Sequence, residues 1–217
     1  MQTYFRQQAI GAQKRVRTRC ALIDSAIDVF SEKGFEEASI SEIALLAGLA
    51  NGTFYNHFRD KEELVAASAQ AIALEIAKQL DARIADLDSG LSRIIVATYA
   101  FLRFALRHKS WGAVLVEQFQ RLPASGAGVM EYLRGDIQRA VAQRRLEVVV
   151  DDFLLEQLAA LMIASLRRQL ADGFQQPQLL RTCEYVLRVL GLTPKQARRE
   201  LAGVAAHPLL VEDVVAV

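Results

Sequence analysis

Hydrogen-bonding side chains of an unusual kind are concentrated in one short stretch of the sequence. Residues 51–57 read NGTFYNH, and they carry amides, hydroxyls and an imidazole but no Lys, Asp or Glu. An exposed helical face normally contains charged residues, because these are the residues that are seldom buried. Amides and hydroxyls instead suit the edges of bases and the phosphate oxygens of DNA. The group consists of Asn51, Thr53, Tyr55, Asn56 and His57.

The histidines and cysteines of the sequence show no pattern typical of catalysis or of metal binding. His57, His108 and His207 are far apart in sequence, and no HExxH, GxSxG or Gly-rich phosphate loop is present. Cys20 and Cys183 form no CxxC pair, so neither a disulfide framework nor a zinc site is expected. We therefore predict no catalytic residue, no metal and no cofactor, and an enzyme is the less favoured class.

Charge is distributed unevenly along the 217 residues. The net charge is only +1, so any attraction to nucleic acid has to be local. The chain before Ala21 contains no acidic residue, and such a stretch is either a solvated tail or an arm that binds phosphate. Its basic residues are Arg6, Lys14, Arg15, Arg17 and Arg19. The polar start and the absence of a long apolar run predict a soluble cytoplasmic protein without a membrane partner.

The first third of the sequence predicts three helices followed by a longer one. Apolar spacing indicates a helix over residues 17–33 that ends at Gly34. Ser39 and Glu42 form a capping box, which predicts a second helix that ends at Gly48. A third helix is expected over residues 51–58, and Asp60 caps a fourth. The apolar row expected for that fourth helix is Leu64, Ala67, Ala71, Leu74, Leu80 and Ile84, with Ile72 and Ile76 beside it.

Helical spacing continues to the end of the chain, and no segment alternates like a strand. Further helices are expected over residues 91–108, 110–121, 127–147, 152–172, 176–190 and 194–205. The sequence thus predicts an all-α fold, with an N-terminal three-helix head and a C-terminal helical bundle of about six helices. The tail from His207 to Val217 receives no assignment.

Two short helices joined at Gly48 have the geometry of a helix-turn-helix. Spacing alone leaves open a helical hairpin that packs against the body with its polar residues outward. Several short runs over residues 17–65 resemble the signature of the TetR/AcrR family of transcriptional regulators. These runs are Ile43-Ala44, Ala47-Gly48-Leu49, Gly52-Thr53-Phe54-Tyr55, His57-Phe58 and Lys61-Glu62-Glu63-Leu64.

The resemblance implies a role in DNA binding for individual residues. Contacts to phosphates are implied for Ser39, Thr53, Tyr55, His57, Lys61, Lys14, Arg15 and Arg17. Base reading is implied for Ser41, Ala50, Asn51, Gly52 and Tyr55, and Asn56 is expected to be exposed beside them. Ala50 and Asn51 depart from the Ser and the Lys or Arg that are frequent in the family, which leaves the operator sequence open. Lys61→Ala is expected to weaken binding to all sequences and to flatten its salt dependence.

The late helices are apolar on more than one side, so each needs a packing partner on each side, from its own core or from a second subunit. Family members dimerise through an equivalent helix pair. The resemblance therefore implies a homodimer on a palindromic double-stranded DNA operator. The expected interface residues are Leu158, Leu161, Leu166, Leu179, Val186 and Leu187.

Aromatic and methionine residues of the middle helices predict a pocket for a small apolar or amphipathic effector, although any core uses the same residues. The candidates are Tyr99, Phe101, Phe104, Trp111, Phe119, Met130 and Met162, with His108, Glu117, Gln118, Arg167 and Arg168 as polar anchors. The expected domains are residues 1–62 for DNA binding and residues 63–217 for ligand binding and dimerisation. The resemblance implies a repressor that the effector releases from DNA. An activator and a helical adaptor without DNA binding are the alternatives.

Overall fold

The computed structural model describes residues 4–121 and 129–211, and all regular structure in those ranges is helical. The helices are α1 (Tyr4–Gln8), α2 (Lys14–Glu37), α3 (Ile40–Leu46), α4 (Asn51–Tyr55), α5 (Lys61–Arg83), α6 (Gly90–Arg107), α7 (Lys109–Arg121), α8 (Val129–Ala142), α9 (Asp152–Asp172), α10 (Gln176–Val189), α11 (Pro194–Gly203) and α12 (Pro208–Val211). The all-α prediction is confirmed. Within the described part of the chain, no helix has the length and apolar character that a bilayer span requires.

Helix boundaries differ from the predicted ones mainly at the two ends of the chain. Helix α2 begins at Lys14, so Lys14, Arg15, Arg17 and Arg19 lie in its first turns, whereas Arg6 lies on α1. Helices α1 and α12 were not predicted, and α4 ends at Tyr55 instead of continuing to Phe58. The predicted connection at residues 123–128 and the last six residues of the tail, 212–217, lie outside the described residues.

Two local signals of the first helices are confirmed, the capping box at Ser39 and the stop at Gly48. Ser39 accepts a hydrogen bond from the main-chain N–H of Glu42, and the Glu42 carboxylate accepts one from the N–H of Ser39. Gly48 has a φ of +72° and Gly34 a φ of +77°, in the left-handed region that favours glycine. Gly48 therefore ends α3 where the sequence places the stop, whereas Gly34 lies inside α2 and kinks that helix instead of ending it.

The buried face of α5 is rotated from the predicted one. Ile72 and Ile76 are buried, whereas Leu74, expected in the main apolar row, is 40% exposed. The buried set is Leu64, Val65, Ser68, Ala69, Ile72, Ala73, Ile76 and Leu80. A helical period of 3.6 residues fits two adjacent rows almost equally well, so only the packing partners decide between them.

Contacts divide the described residues into two compact units. The first comprises residues 4–72 together with α7, and the second comprises residues 73–108 and 129–211. In the first unit, α2 packs against α1, α3 and α7. In the second unit, α6 packs against α8, α9 and α10, and α11 packs against α6 and α10. The boundary between the units falls inside α5, past the residue 62 expected from the sequence.

Five of the six residues expected in the dimer interface belong to the core of the chain itself. Leu158, Leu166, Leu179, Val186 and Leu187 are each at most 1% exposed in the single chain. A side chain without accessible surface has none to bury against a second subunit, so these five are corrected to core residues. Leu161 alone of the six is partly exposed. Sequence spacing identified an apolar helix pair but did not separate its inner face from its outer face.

A buried guanidinium joins three helices of the second unit. Arg93 on α6 forms ion pairs with Asp81 on α5 and with Asp136 on α8, and it donates to the carbonyl of Ile84 at 2.7 Å. Burial raises the pKa of the Asp136 carboxyl, although the neighbouring Arg93 opposes that shift. Arg93 thereby fixes the end of α5 to α6 and α8.

The start of α6 lies against the backbone of α8. A Cβ atom built on Gly90 would be 2.5 Å from the Ala140 nitrogen and 2.7 Å from the Asp136 oxygen. Both are main-chain atoms, which cannot move aside like a flexible side chain. Gly135 on α8 differs, because a Cβ there would have no neighbour within 4 Å.

Substitution of these two helical glycines is expected to have opposite effects on stability. Gly90→Ala should lower the free energy of unfolding by about 1–3 kcal/mol, because the methyl group forces α6 away from α8. Gly135→Ala should raise it by about 0.5–1 kcal/mol, because it only restricts the unfolded chain and favours the helix. Chemical denaturation of both variants measures this difference, and equal stability of the two would contradict the described packing of α6 on α8.

Candidate DNA-binding site

The exposed face of α3 and α4 contains every residue that was expected to read bases. Phe54 and Phe58 lie below this face, with 0% and 2% of their surface exposed and ring centroids 5.8 Å apart. Because the apolar side of α4 is anchored in this way, its polar side points outward. The exposed residues are Ser41, Ala50, Asn51, Gly52, Tyr55 and Asn56, and Tyr55 is 61% exposed.

The turn between the two helices is closed by main-chain hydrogen bonds. The N–H of Leu49 donates to the carbonyl of Ala44 at 2.9 Å, and the N–H of Gly48 donates to the carbonyl of Leu45 at 3.0 Å. These bonds satisfy the last carbonyls of α3. Together with the positive φ of Gly48, they fix the direction in which the chain enters α4.

Two of the expected base-reading residues are bonded to each other. The amide nitrogen of Asn51 donates to the hydroxyl of Ser41 at 2.7 Å. This bond uses one of the two N–H groups of the amide and leaves the other N–H and the amide oxygen for a ligand. Those two groups are the pair that recognises adenine in the major groove. Ser41 thus orients the amide of Asn51 for such a contact.

One exposed apolar residue of this face was not found by sequence reasoning. Leu45 is 79% exposed, and it lies four residues after Ser41 on the same side of α3. An aliphatic group at this position can contact the methyl group of a thymine. The sequence contained the information needed to predict this, because Leu45 follows Ser41 by four residues and therefore lies on the exposed side of α3, not in the core.

Ser39, expected to meet a phosphate, begins α3 with its hydroxyl already engaged. Its Oγ donates to the Glu42 carboxylate at 2.9 Å, and Glu42 also pairs with Lys33. The Lys33 ammonium, followed by the Ser39 hydroxyl, lowers the pKa of Glu42 to about 2. Glu42 is therefore ionised, and Lys33 balances its charge next to the surface that would face DNA.

Basic residues lie at the N-terminal end of α2 and beneath α4. Lys14, Arg15 and Arg17 are exposed in the first turns of α2. Arg19 packs its guanidinium over the ring of Phe58 at 4.3 Å and donates to the carbonyl of His57 at 3.2 Å. Arg19 therefore holds the end of α4 onto α2, a positioning role that the basic composition of this stretch did not reveal.

His57 is half-buried next to these cations. Burial lowers the pKa of its imidazole below the usual value, and the charges of Arg15 and Arg19 lower the pKa of His57 further. The free imidazole is consequently neutral near pH 7. Thr53, which lies on α4 four residues before His57, is also half-buried.

Lys61, expected to bind phosphate, closes the C-terminal end of α2. Its ammonium donates to the carbonyls of Phe35 at 2.6 Å, Glu36 at 3.3 Å and Ala38 at 2.8 Å, and it lies over the Phe35 ring. A lysine has only three N–H donors, and all three are used here. To reach a phosphate, Lys61 would have to release at least one carbonyl.

The expected effector-binding residues occur in both units. In the second unit, Tyr99 and Phe104 are buried, whereas Phe101, Met130 and Met162 are partly exposed. In the first unit, Phe119 is partly exposed, and Trp111 is buried against the rings of Tyr4 and Phe5. One polar anchor is distinctive within the described residues, because the side-chain oxygen of Gln118 on α7 is buried without a hydrogen-bond partner.

Comparison with known proteins agrees with this geometry. The family model described as "Bacterial regulatory proteins, tetR family" matches residues 22–68. An uncharacterised HTH-type transcriptional regulator, YvdT, of Bacillus subtilis is 41% identical over 63 residues, which is 29% of this chain and 32% of that protein. Another from Haemophilus influenzae is 33% identical over 96 residues, or 44% of this chain and 47% of that one. The chain thus matches about a third to a half of the length of these curated relatives.

The similarity to a solved structure extends over nearly the whole chain. The crystal structure of RolR in complex with its ligand resorcinol superposes with a TM-score of 0.71 at 26% sequence identity. The superposition covers 91% of this chain and 97% of RolR. The fold is therefore shared beyond the segment that the family model matches.

Lys61 and Arg15 are expected to differ in how they affect DNA binding. Arg15→Ala should reduce the slope of log affinity against log salt by about 0.9, because one phosphate contact is lost. Lys61→Ala should instead lower the thermal stability of the first unit, because three carbonyls lose their donor, and it should leave the salt slope near that of the wild type. Binding titrations across salt concentrations, combined with melting curves, separate the two roles. A flattened slope with unchanged melting would return Lys61 to the phosphate-binding set.

Proposed function

Because this chain belongs to the TetR family of DNA-binding transcriptional regulators, we propose that it is a dimeric repressor that a small effector releases from its operator. The observation that carries the proposal is the exposed face of α3 and α4, where amides and hydroxyls replace the usual charged residues. An adaptor without DNA binding would have no use for such a face. Activation instead of repression depends on where the operator lies, and the repressor is favoured by the family alone.

The proposed DNA complex places α4 in the major groove. Asn51, oriented by Ser41, pairs with a base, while Tyr55 and Leu45 make neighbouring contacts on the groove surface. Thr53, His57 and Ser39 contact phosphates on either side, and Lys14, Arg15 and Arg17 reach the flanking backbone. Lys61 supports these contacts by holding the end of α2.

The proposed dimer uses the outer surface of α9 and α10, since their inner surface is already buried. Tyr185 and Val189 on α10 are 39% and 45% exposed, and Phe174 between the two helices is 51% exposed. The Arg181 guanidinium donates to the hydroxyl of Tyr185 at 3.0 Å, which fixes the ring on this surface. Exposed aromatic and aliphatic groups flanked by arginine are typical of protein interfaces.

The proposed effector is a small apolar or amphipathic molecule that carries a hydrogen-bond donor. Gln118 supports this chemistry, because a buried amide oxygen without a partner costs free energy until a donor reaches it. RolR, which shares the fold, was crystallised with resorcinol, a molecule with two hydroxyl donors on an apolar ring. Because coupling between two sites is reciprocal, operator DNA should weaken effector binding by the same factor by which the effector weakens DNA binding.

The test of the DNA-binding proposal is a titration of the full chain against a fluorescently labelled duplex from upstream of its own gene. At low ionic strength, anisotropy should report saturable binding that an unlabelled copy of the duplex displaces. Asn51→Ala should retain binding but lose about 1–3 kcal/mol of discrimination at one base pair of each half-site. A protein that binds no duplex under these conditions would contradict the proposal.

Operator affinity is expected to rise as pH falls from neutrality towards the lowered pKa of His57 in the free protein. In the free protein the pKa of His57 is lowered by burial and by Arg15 and Arg19. A phosphate beside the imidazole favours its cationic form and raises that pKa, so binding takes up a proton. Duplex titrations at several pH values measure this uptake. His57→Gln should remove the pH dependence, whereas His108→Gln, the matched control, should retain it.

A further inference from the structure

The short helix α1 is fixed to α2 by a buried carboxylate. Asp24 on α2 is 5% exposed, and its two oxygens accept hydrogen bonds from the N–H groups of Phe5 at 3.0 Å and Arg6 at 2.8 Å. These N–H groups lie in the first turn of α1, where a helix has no acceptor of its own. Asp24 therefore caps α1 from a different helix and prevents it from sliding along α2.

The aromatic end of α1 packs against α7. The ring of Phe5 stacks on Trp111 with centroids 5.6 Å apart and an angle of 18°, and Tyr4 meets the same indole edge-on at 5.5 Å. Trp111 itself is 1% exposed. Any displacement of Trp111 in α7 thus meets two rings that Asp24 holds in place.

The opposite side of α1 reaches the helix-turn-helix. The Arg6 guanidinium donates to the carbonyl of Ala47 at 3.4 Å, and Ala47 is the C-cap residue that follows α3 and precedes the Gly48 turn. A bond of this length is close to the limit of hydrogen bonding, so a small movement of α1 suffices to make or break it. Helix α1 consequently contacts α2, α7 and the end of α3, all in the first unit.

We propose that α1 is a strap that couples the position of α7 to the helix-turn-helix, with Asp24 and Arg6 as the residues that position α3. When Trp111 moves, the packed rings of Tyr4 and Phe5 move with it. The shift of α1 then changes the contact of Arg6 with the turn that sets the direction of α4. This inference rests on the proposed DNA-binding function. It adds a route to the exposed face of α3 and α4, the reading face, that starts in α7 and runs through the N-terminal residues.

The sequence supplies a probe at the centre of this strap, because Trp111 is its only tryptophan. The full chain is titrated with a labelled duplex from upstream of its own gene, while duplex anisotropy and tryptophan emission are recorded in the same samples. In the wild type, DNA binding should change the Trp111 emission. Arg6→Ala leaves the packing of Trp111 intact, so its emission without DNA should equal that of the wild type.

The variants separate the strap from a merely structural helix. Arg6→Ala should bind the duplex roughly two- to tenfold more weakly and lose the emission change, because one hydrogen bond to α3 is removed. Phe5→Ala should lose the emission change and also expose the indole to quenchers. Gln8→Ala, an exposed position on the same helix, is the matched control and should behave like the wild type in both signals.

The outcomes also distinguish this inference from the proposed function. If the wild type fails to change the anisotropy of the duplex, DNA binding itself is refuted. If it binds but the Trp111 emission stays constant, or if Arg6→Ala keeps both its affinity and its emission change, the strap is refuted. Deuterium exchange at the Phe5 and Arg6 amides of Asp24→Asn gives a second test, since both should exchange faster without the carboxylate. Wild-type exchange rates in that variant would also contradict the strap.

Discussion

The burial of Phe54 and Phe58 is the interaction on which the reading face depends. Helix α4 has only five residues, too few to be stable by itself, so its existence and orientation come from packing. With both rings in the core, Asn51 and Tyr55 can only point outward. Arg19 completes this anchor, because its guanidinium covers Phe58 and donates to the carbonyl of His57, just past the end of α4. Loss of the aromatic pair would remove the recognition surface without changing any residue on it.

Electrostatics in this protein is local, as its net charge of +1 requires. Cations on α2 lie near the reading face, while two acidic residues near it are paired: Glu42 with Lys33, and Glu63 with Arg59. The first turn of α2 contains no acid, so its positive end and its basic side chains act in the same direction. These groups can attract phosphate at that end of α2, while the low net charge gives the rest of the molecule no general attraction to nucleic acid.

The sequence correctly predicted the structural features that depend on residues close together along the chain. The capping box at Ser39, the turn at Gly48 and the family signature over the helix-turn-helix all depend on local spacing, and each is confirmed. What failed depends on distant partners. The inner and outer faces of α9 and α10 were not separated. Helix α1 was missed because its cap, Asp24, is contributed by α2.

Hydrogen–deuterium exchange of the full chain, with and without the duplex from upstream of its gene, tests the central claim most directly. If α4 lies in the major groove, exchange should slow at residues 39–57 and at the first turns of α2, in one contiguous surface. Unchanged exchange at residues 39–57 under conditions where the duplex is bound would show that another surface holds DNA, and the account would be wrong.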